Sequence, residues 1–226
     1  MPIEITAREF YDRLIAGEII DSTGNITFSL NNTTIQIETK DSIGNMIQEW
    51  VKSWANDNNI YLRANENSQE FPDFYLSQSN IDNLLEIKSF DYTKNPNFDL
   101  ANFDTYTRAL MQTPQKLDAD YIVFGYSLVG NQLIINNVWI KKIWEITTSS
   151  GNWDLRVQVK QDIIYNIRPA SFNSNNARFL PFNNKILFLE AIQGVLNQYV
   201  NANTSHNNWL NDFRNAYQTA TGNELI

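Results

Sequence analysis

Two carboxylates and one ammonium interrupt a pair of short apolar runs that otherwise have the pattern of buried β-strands. Asp73 lies near the start of the run FPDFYL, and Glu86 and Lys88 lie within the run LLEIKSF. Residues two apart in a strand share one face, so Glu86 and Lys88 are predicted to point the same way, with Ile87 in the opposite layer. If the two runs pair side by side, Asp73 reaches the same face.

This set of side chains predicts a site for a divalent cation with oxygen ligands. The Asp73 and Glu86 carboxylates and the Ile87 carbonyl would be the ligands, and Mg²⁺ needs few protein oxygens because it keeps several waters. The Lys88 ammonium could orient an attacking water, help to lower its pKa or hold a phosphate oxygen. Asp73, Glu86 and Lys88 are therefore predicted catalytic residues for hydrolysis of a phosphodiester, which needs no histidine in this arrangement.

A structural interpretation of the same charges is a salt-bridged pair on a solvated strand face, because a Pro-Asp pair followed by Glu-x-Lys arises by chance in many chains. The apolar context favours the functional interpretation, since burial of an unpaired charge is costly. Glu49, in the helical segment that precedes these runs, is a further candidate metal ligand. Its alternative role is that of a solvated residue beside the apolar stripe of that helix.

The composition excludes several other chemistries. The 226 residues contain no cysteine, which excludes disulfides, cysteine nucleophiles and thiolate metal sites and is typical of a reducing cytoplasm. The single histidine, His206, lies in an Asn-rich stretch without a partner motif, so a zinc protease or a Ser-His-Asp triad is not expected. The N-terminus does not have the pattern of a secretory signal, and no apolar run is long enough to span a bilayer. We therefore expect a cytoplasmic protein without membrane contact.

The charge is distributed unevenly along the chain. The formal net charge is −8, yet the segment from Gly130 to Lys185 holds seven basic and three acidic residues. A basic segment on an acidic body can face nucleic acid. Solvated strand edges, where lysine discourages aggregation, are the alternative interpretation.

Arginine and lysine are the residues that best recognise guanine in the major groove, and asparagine pairs with adenine edges. In LRVQVKQ, Arg156, Gln158 and Lys160 are predicted to share one strand face, with Val157 and Val159 packed inward. An ordinary exposed strand face is the alternative. The candidate DNA-binding residues are Lys141, Lys142, Arg156, Gln158, Lys160, Arg168, Asn173 and Arg178.

The elements that must position these residues can be predicted from periodicity and turn signals. Helices are predicted over residues 3–16 with Thr6 as cap, 42–57, 102–112, 185–200 and 207–220. Strands are predicted over residues 59–64, 71–76, 84–90, 120–129, 132–146, 153–161 and 163–169, and a hairpin over 26–39. Asn31-Asn32 and Gly130-Asn131 are predicted turns. This order indicates a mixed α/β (α+β) fold in which helices flank a central mixed sheet, and the absence of a linker indicates one domain over residues 1–226.

Several blocks of the sequence resemble a known group of nucleases. PDFYL followed by LLEIKSF looks like the catalytic hairpin of the PD-(D/E)XK nuclease superfamily. The blocks LLEIKSFDYTKNPNFDLANFDTYTRAL, LDADYIVFGY, VWIKKIWEI and RVQVKQDIIYNIRP resemble the type II restriction endonucleases of the NgoBV/NlaIV kind. The similarity covers about Asp73 to Pro169, and Asp73, Glu86 and Lys88 fall on the positions of the superfamily motif.

This resemblance implies a restriction-endonuclease-like core of the EcoRV-like kind and a magnesium-dependent, homodimeric enzyme. It implies cleavage of double-stranded DNA within GGNNCC that leaves 5′-phosphates. The enzyme would act in the bacterial cytoplasm, beside a cognate DNA methyltransferase that modifies the same site without direct contact. The dimer interface could be formed by the C-terminal helices or by the helix at 43–56, and the sequence does not decide between them.

Two other functions are compatible with the residues alone. One is a PD-(D/E)XK nuclease of DNA repair or recombination that recognises DNA structure. The other is a non-catalytic α+β binding protein in which the Asp, Glu and Lys spacing is incidental.

Overall fold

The computed structural model describes residues 1–36, 42–67, 70–174, 176–202 and 208–225. His206 lies outside the described residues. Within them there are five α-helices: α1 (Ala7–Ala16), α2 (Ile43–Asp57), α3 (Phe103–Gln112), α4 (Lys185–Gln198) and α5 (Trp209–Thr221). Two 3₁₀ helices span Pro114–Asp118 and Ile143–Ile146.

Eleven strands occur in the same part of the chain. They are β1 (Thr23–Asn25), β2 (Thr27–Leu30), β3 (Thr33–Gln36), β4 (Arg63–Ala64), β5 (Phe74–Tyr75), β6 (Leu84–Asp91), β7 (Ala101–Asn102), β8 (Asp120–Val129), β9 (Gln132–Lys142), β10 (Val157–Lys160) and β11 (Ile163–Ile167). Six of them form one sheet in the order β1-β9-β8-β6-β5-β4. The β6–β8 pair is parallel and the other pairs are antiparallel, so the predicted mixed sheet is confirmed. Parallel neighbours need a long crossover, and α3 lies in the one between β6 and β8.

The two faces of this sheet pack against different helices. On one face, Phe90, Tyr121 and Val123 belong to a core shared with α3, α4 and α5. On the other face, Ile87 and Ile122 belong to a core shared with α1 and α2. Because side chains alternate along β6, Glu86 and Lys88 face the α3 side of the sheet.

Two smaller sheets accompany the large one. The strands β10, β11 and β7 form a three-stranded sheet, and β2 and β3 form a separate hairpin. In that hairpin Leu30 pairs with Thr33, which leaves Asn31-Asn32 as the turn, as predicted. The hairpin β8–β9 turns at Gly130-Asn131, also as predicted, with Gly130 at φ 62°.

Some local predictions are wrong for identifiable reasons. The predicted strand over 132–146 ends at Lys142, because Ile143–Ile146 turn into a 3₁₀ helix whose Glu145 accepts a hydrogen bond from the Lys142 N–H. The strand predicted from Trp153 begins only at Val157. Val159 is 39% exposed and not packed inward, since the β10–β11 register shifts between Val157 and Val159.

The first helix begins at Ala7, one residue after the predicted cap Thr6, and not at residue 3 as the predicted range 3–16 had it. The Thr6 hydroxyl accepts a hydrogen bond from the Glu9 N–H at 3.2 Å, and the Glu9 carboxylate accepts one from the Thr6 N–H at 2.7 Å. This reciprocal arrangement satisfies two backbone donors that a helix start leaves unpaired. No helix in the described part of the chain combines the length and the hydropathy that a membrane span requires.

Candidate active site

The strand pair β5–β6 brings the three predicted catalytic residues together. Asp73 directly precedes β5, and Phe74 pairs with Leu85, so Asp73 comes to lie opposite Glu86. Leu85 and Ile87 are fully buried on the α1–α2 side of the sheet. Their burial fixes the orientation of β6, because a shift of one residue would turn the charged side chains into the apolar layer.

Reciprocal hydrogen bonds lock the two carboxylates. Oε2 of Glu86 accepts a hydrogen bond from the Asp73 N–H at 2.9 Å, and Oδ2 of Asp73 accepts one from the Ile87 N–H at 2.9 Å. Nζ of Lys88 lies 2.7 Å from Oε1 of Glu86, with side chains 19% and 5% exposed, respectively. Backbone N–H groups therefore hold the two carboxylates, and the Glu86 side chain holds the ammonium, before any ligand binds.

Helix α2 contributes a residue that the sequence did not reveal. Nε2 of Gln48 donates hydrogen bonds to Oδ2 of Asp73 at 3.0 Å and to the Ile87 carbonyl at 3.4 Å. Its neighbour Glu49, the candidate ligand from the sequence, is 70% exposed and paired with Lys52 at 2.5 Å. The structure thus brings an amide, and not the Glu49 carboxylate, from α2 to the cluster.

No sequence signal distinguishes Gln48. Gly44 lies one helical turn earlier, but a Cβ there would make only ordinary van der Waals contact with Oγ of Ser89, at 3.5 Å. The packing of α2 on β6 decides which residues of the helix reach the strand.

Burial decides the direction of the pKa shifts of the two carboxylates, and the carboxylates decide that of Lys88. Burial, together with the neighbouring Asp73 charge, raises the pKa of Glu86 to about 7, although Lys88 and the Asp73 N–H oppose the shift. Burial also raises the pKa of Asp73. Burial alone would lower the pKa of Lys88, but Glu86 and Asp73 outweigh it and raise that pKa. Additional positive charge beside the carboxylates would therefore stabilise their ionised forms.

The donor set fits a hard divalent cation. Oδ2 of Asp73 and the Ile87 carbonyl converge on the same Gln48 amide, and the Glu86 carboxylate is bonded to the Asp73 backbone. Among the described residues, no group of three or more His, Cys, Asp or Glu side chains could hold a metal. Two carboxylates and one carbonyl are a sparse, oxygen-only set, which suits a cation that keeps several waters.

The cluster lies in a cleft of about 680 Å³ that α3 borders. Asp73, Glu86 and Lys88 line it together with Arg108 of α3 and Lys116 of the following 3₁₀ helix. Neither Arg108 nor Lys116 was recognised from the sequence. Which way these two side chains point depends on how the crossover between β6 and β8 packs. A local sequence pattern does not predict that packing.

Two tyrosines lie in the layer beneath the carboxylates. Tyr121 is the β8 partner of Glu86, and Tyr106 of α3 lines the cleft. Both side chains are buried, and neither hydroxyl has a hydrogen-bond partner within the described residues. Burial raises the pKa of both groups, so they remain neutral donors beside Glu86.

Comparison with known proteins identifies the family. A sequence model with the description NgoBV restriction endonuclease matches residues 4–226 of the chain. The chain belongs to the NgoBV restriction endonuclease family. It is therefore an enzyme of the type II restriction endonuclease class, as the sequence resemblance predicted.

Individual relatives agree with this assignment. The type II restriction enzyme NlaIV of Neisseria lactamica is 36% identical over 222 residues, which cover 96% of this chain and 90% of the relative. The type II restriction enzyme NgoBV of Neisseria gonorrhoeae is 33% identical over 162 residues, which cover 70% of this chain and 92% of the relative. A solved structure of the NlaIV restriction endonuclease superposes with a TM-score of 0.94 and 31% identity, covering 100% of this chain and 94% of that one. The predicted PD-(D/E)XK fold is confirmed by this match.

Several basic residues of this family member that were predicted to bind DNA have partners within the chain. The Arg168 guanidinium pairs with Asp99 and bonds to the Asn97 side chain. The Arg156 guanidinium donates to the Pro169 carbonyl at 3.1 Å. Lys142 pairs with Asp120 at 2.8 Å.

The remaining candidates are less tightly held. Gln158, Lys160 and Arg178 are exposed, although Gln158 accepts a hydrogen bond from Asn166 at 3.3 Å, and Nζ of Lys141 lies 3.9 Å from Glu145. The Asn173 side-chain oxygen is buried and has no hydrogen-bond partner within the described residues. Because β7 lines the cleft and belongs to the same sheet as β10 and β11, this small sheet flanks the cleft of the restriction endonuclease.

Proposed function

We propose that this type II restriction endonuclease uses Mg²⁺ to hydrolyse one phosphodiester in each strand of a GGNNCC site and leaves 5′-phosphates. The observation that carries the proposal is the convergence of Asp73, Glu86 and Lys88 on one cleft, joined by hydrogen bonds and an ion pair of 2.7–2.9 Å. Restriction enzymes of this class generally use a divalent metal, and the oxygen-only donor set favours magnesium.

The roles of the side chains follow from their charges. The Asp73 and Glu86 carboxylates and the Ile87 carbonyl would hold the cation. When bound, the cation would polarise the phosphodiester and lower the pKa of the attacking water. Lys88 stays protonated because both carboxylates raise its pKa, so it acts as a fixed positive charge and a hydrogen-bond donor to a phosphate oxygen, and not as a base. Tyr121 and Tyr106 exclude bulk water from the Glu86 side of the cluster.

The target and the products are tested together on a DNA library. Digestion with Mg²⁺, followed by sequencing of the fragment ends, is expected to show ends only within GGNNCC, with 5′-phosphates. The support for this target is the likeness to the NlaIV and NgoBV enzymes. Ends at another defined sequence would contradict GGNNCC alone. Random ends, or cutting confined to branched DNA, would instead favour a nuclease of repair or recombination.

We also propose that the active enzyme is a homodimer. A palindromic duplex needs one active site for each strand, and a two-fold dimer supplies both. The hairpin β2–β3 exposes Phe28, Leu30 and Ile35 by 52%, 68% and 51%. Trp50 of α2 is 40% exposed beside a second cleft of about 680 Å³, whose lining extends to Thr27 of the hairpin.

The hairpin face formed by Phe28, Leu30 and Ile35 is the proposed contact with the second copy. These side chains expose roughly 300 Å², whereas a standard interface buries about 800 Å² on each partner. Trp50 and the second cleft provide further exposed apolar surface near the hairpin. A two-stranded hairpin is marginally stable by itself, so packing against another copy would stabilise it.

Light scattering tests the dimer. The Phe28→Ser, Leu30→Ser double variant is expected to be a monomer that nicks plasmid DNA without linearising it. Val200→Ser is the matched control, because Val200 is 90% exposed outside this surface. A wild-type protein that is monomeric with and without DNA would contradict the proposal.

The family membership also supports a proposal for the setting of the enzyme. We propose that the chain forms one restriction-endonuclease-like domain over residues 1–226 and works in the bacterial cytoplasm. A cognate DNA methyltransferase would protect the same target sequence without contacting this protein. Host DNA that resists the enzyme only when the methyltransferase is present would support this arrangement.

A further inference from the structure

Two cations on the α3 side of the active-site cleft form no salt bridge in the part of the chain that the structure describes. Arg108 is exposed, and its Nε donates to the Asp104 carbonyl at 3.2 Å. Burial lowers the pKa of Lys116, and the charge of Glu70 opposes that shift. By contrast, Lys88 of the cleft floor is paired with Glu86.

The carboxylates along the cleft are already engaged. Asp73 and Glu86 are bonded into the catalytic cluster, and Asp99 is paired with Arg168. The Glu70 carboxylate, also in the lining, accepts a hydrogen bond from the Asn67 side chain at 2.9 Å and acts on Lys116 through its charge. Neither Arg108 nor Lys116 is held in a salt bridge within the described residues, so both can contact a ligand that enters the cleft.

The side chains of this wall form one stripe. Thr105, Arg108 and Gln112 are spaced three and four residues apart on α3, all three are exposed, and all line the cleft. Lys116 extends the stripe beyond the end of the helix. Hydroxyl, guanidinium, amide and ammonium groups all donate hydrogen bonds, so the wall is complementary to an anionic ligand with several acceptor oxygens.

We propose that Arg108 and Lys116 form a second phosphate-binding position, which holds a backbone phosphate of the cut strand next to the scissile one. The inference rests on the proposed function, because it takes the ligand of the cleft to be a DNA strand. The planar fork of a guanidinium matches a phosphate in two hydrogen bonds, and an ammonium serves as a point charge.

The position of the stripe decides between phosphates and bases. Lys88 and the two carboxylates act on the sugar-phosphate backbone, and Arg108 and Lys116 line the same cleft of about 680 Å³. A cleft that holds the scissile phosphate also admits the neighbouring phosphates of that strand, which favours phosphate contacts over base contacts. Such contacts set the register of the strand without reading its sequence.

The salt dependence of DNA binding tests the inference. Arg108→Ala and Lys116→Ala are each expected to reduce the slope of log affinity against log salt concentration by about one, equally for target and scrambled duplexes. The KM for target cleavage should rise about tenfold for each variant, with the cut position unchanged. Arg8→Ala is the matched control, because Arg8 is an exposed helical arginine on α1, on the other face of the sheet.

Duplexes with single methylphosphonates sharpen the test, since each removes the charge of one phosphate. Neutralising the phosphate next to the scissile one should lower the DNA affinity of the wild type. It should lower the DNA affinity of the Arg108→Ala variant only slightly, because the variant has already lost the contact. Arg108→Lys should retain part of the salt slope, which confirms that the charge and not the fold is responsible. Circular dichroism confirms that each variant is folded.

Three results would overturn the inference. The first is a salt slope that is the same in the variants and the wild type. The second is a loss of affinity for the target duplex alone, which would indicate base recognition. The third is equal sensitivity of wild type and variant to every methylphosphonate. These outcomes are separate from failure of the proposed function, which would appear as a wild-type protein that cuts no DNA. Non-specific binding by such a protein would still report the salt slope.

Discussion

The two faces of strand β6 differ in what they contribute. Leu85 and Ile87 pack into the apolar core with α1 and α2, whereas Glu86 and Lys88 face the cleft beside α3. The first pair stabilises the strand and fixes its orientation. The second pair carries charges whose burial is unfavourable in the absence of a ligand. Alternation along one strand therefore separates the residues that stabilise the fold from the residues that perform the chemistry.

Substitutions on the cleft face should have the largest effect, and it should be on activity. Asp73→Ala and Glu86→Ala are each expected to lower plasmid cleavage at least about 10³-fold, because each removes a carboxylate that would hold the metal. DNA binding should largely survive. Glu49→Ala, an exposed acidic residue paired with Lys52, is the control and should cut within about threefold of wild type. Full cleavage by either cluster variant would remove that carboxylate from the mechanism.

A substitution on the opposite face should affect stability instead. Ile87→Ala removes a side chain that is 1% exposed, and we expect the free energy of unfolding to fall by about 2–4 kcal/mol. The Ile87 carbonyl is retained, so the folded fraction should cut DNA at nearly the wild-type rate. Urea unfolding and cleavage at low temperature measure the two effects. Loss of activity in a fully folded Ile87→Ala protein would contradict the division between the faces.

Glu86 should make the stability of the metal-free protein depend on pH. Burial raises its pKa to about 7 in the folded protein, well above the usual value of about 4.5 for a glutamate. The folded state therefore retains a proton that the unfolded state has lost, and stability should decline as pH rises from about 4.5 to 7. The raised pKa of Asp73 acts in the same direction. Thermal unfolding in the presence of a chelator, measured at several pH values, should show this decline. The Glu86→Gln variant should show a smaller decline. If stability fell with pH as steeply in the variant as in the wild type, the effect would belong to other groups.

Gln48 is expected to have the smallest effect. Gln48→Ala removes the amide that joins Oδ2 of Asp73 to the Ile87 carbonyl, so the two oxygens are less well oriented for a cation. Metal affinity should fall about tenfold, as for other groups that orient metal ligands. Calorimetric titration with Mg²⁺ measures it, with Glu49→Ala as the neighbouring control on α2. Equal affinities for both variants would show that Gln48 does not orient the site.

The sequence predicted what depends on local pattern. The alternation in LLEIKSF placed Glu86 and Lys88 on one face, and Asp73 joined them because β5 pairs with β6. Hydrophobic periodicity also located the helices, and the turn residues located the hairpins β2–β3 and β8–β9.

What the sequence could not predict depends on contacts between distant segments. Gln48 lies 25 residues from Asp73, and which residues of α2 face β6 is decided by packing. Arg108 and Lys116 reach the cleft because of the path of the crossover between two parallel strands. Arg168 is paired with Asp99, which lies 69 residues away in the sequence. Its charge is therefore already neutralised within the chain, which the count of basic residues in its segment could not show.

The central claim is that Asp73 and Glu86 together hold a divalent cation in the cleft. The most direct measurement is the binding of Mn²⁺, a paramagnetic substitute for Mg²⁺, to the protein–DNA complex by electron paramagnetic resonance. A duplex with a non-hydrolysable linkage at the cut position prevents turnover. The account predicts at least one tightly bound ion per wild-type chain and its loss in both Asp73→Ala and Glu86→Gln. The same number of tightly bound ions in all three proteins would contradict it.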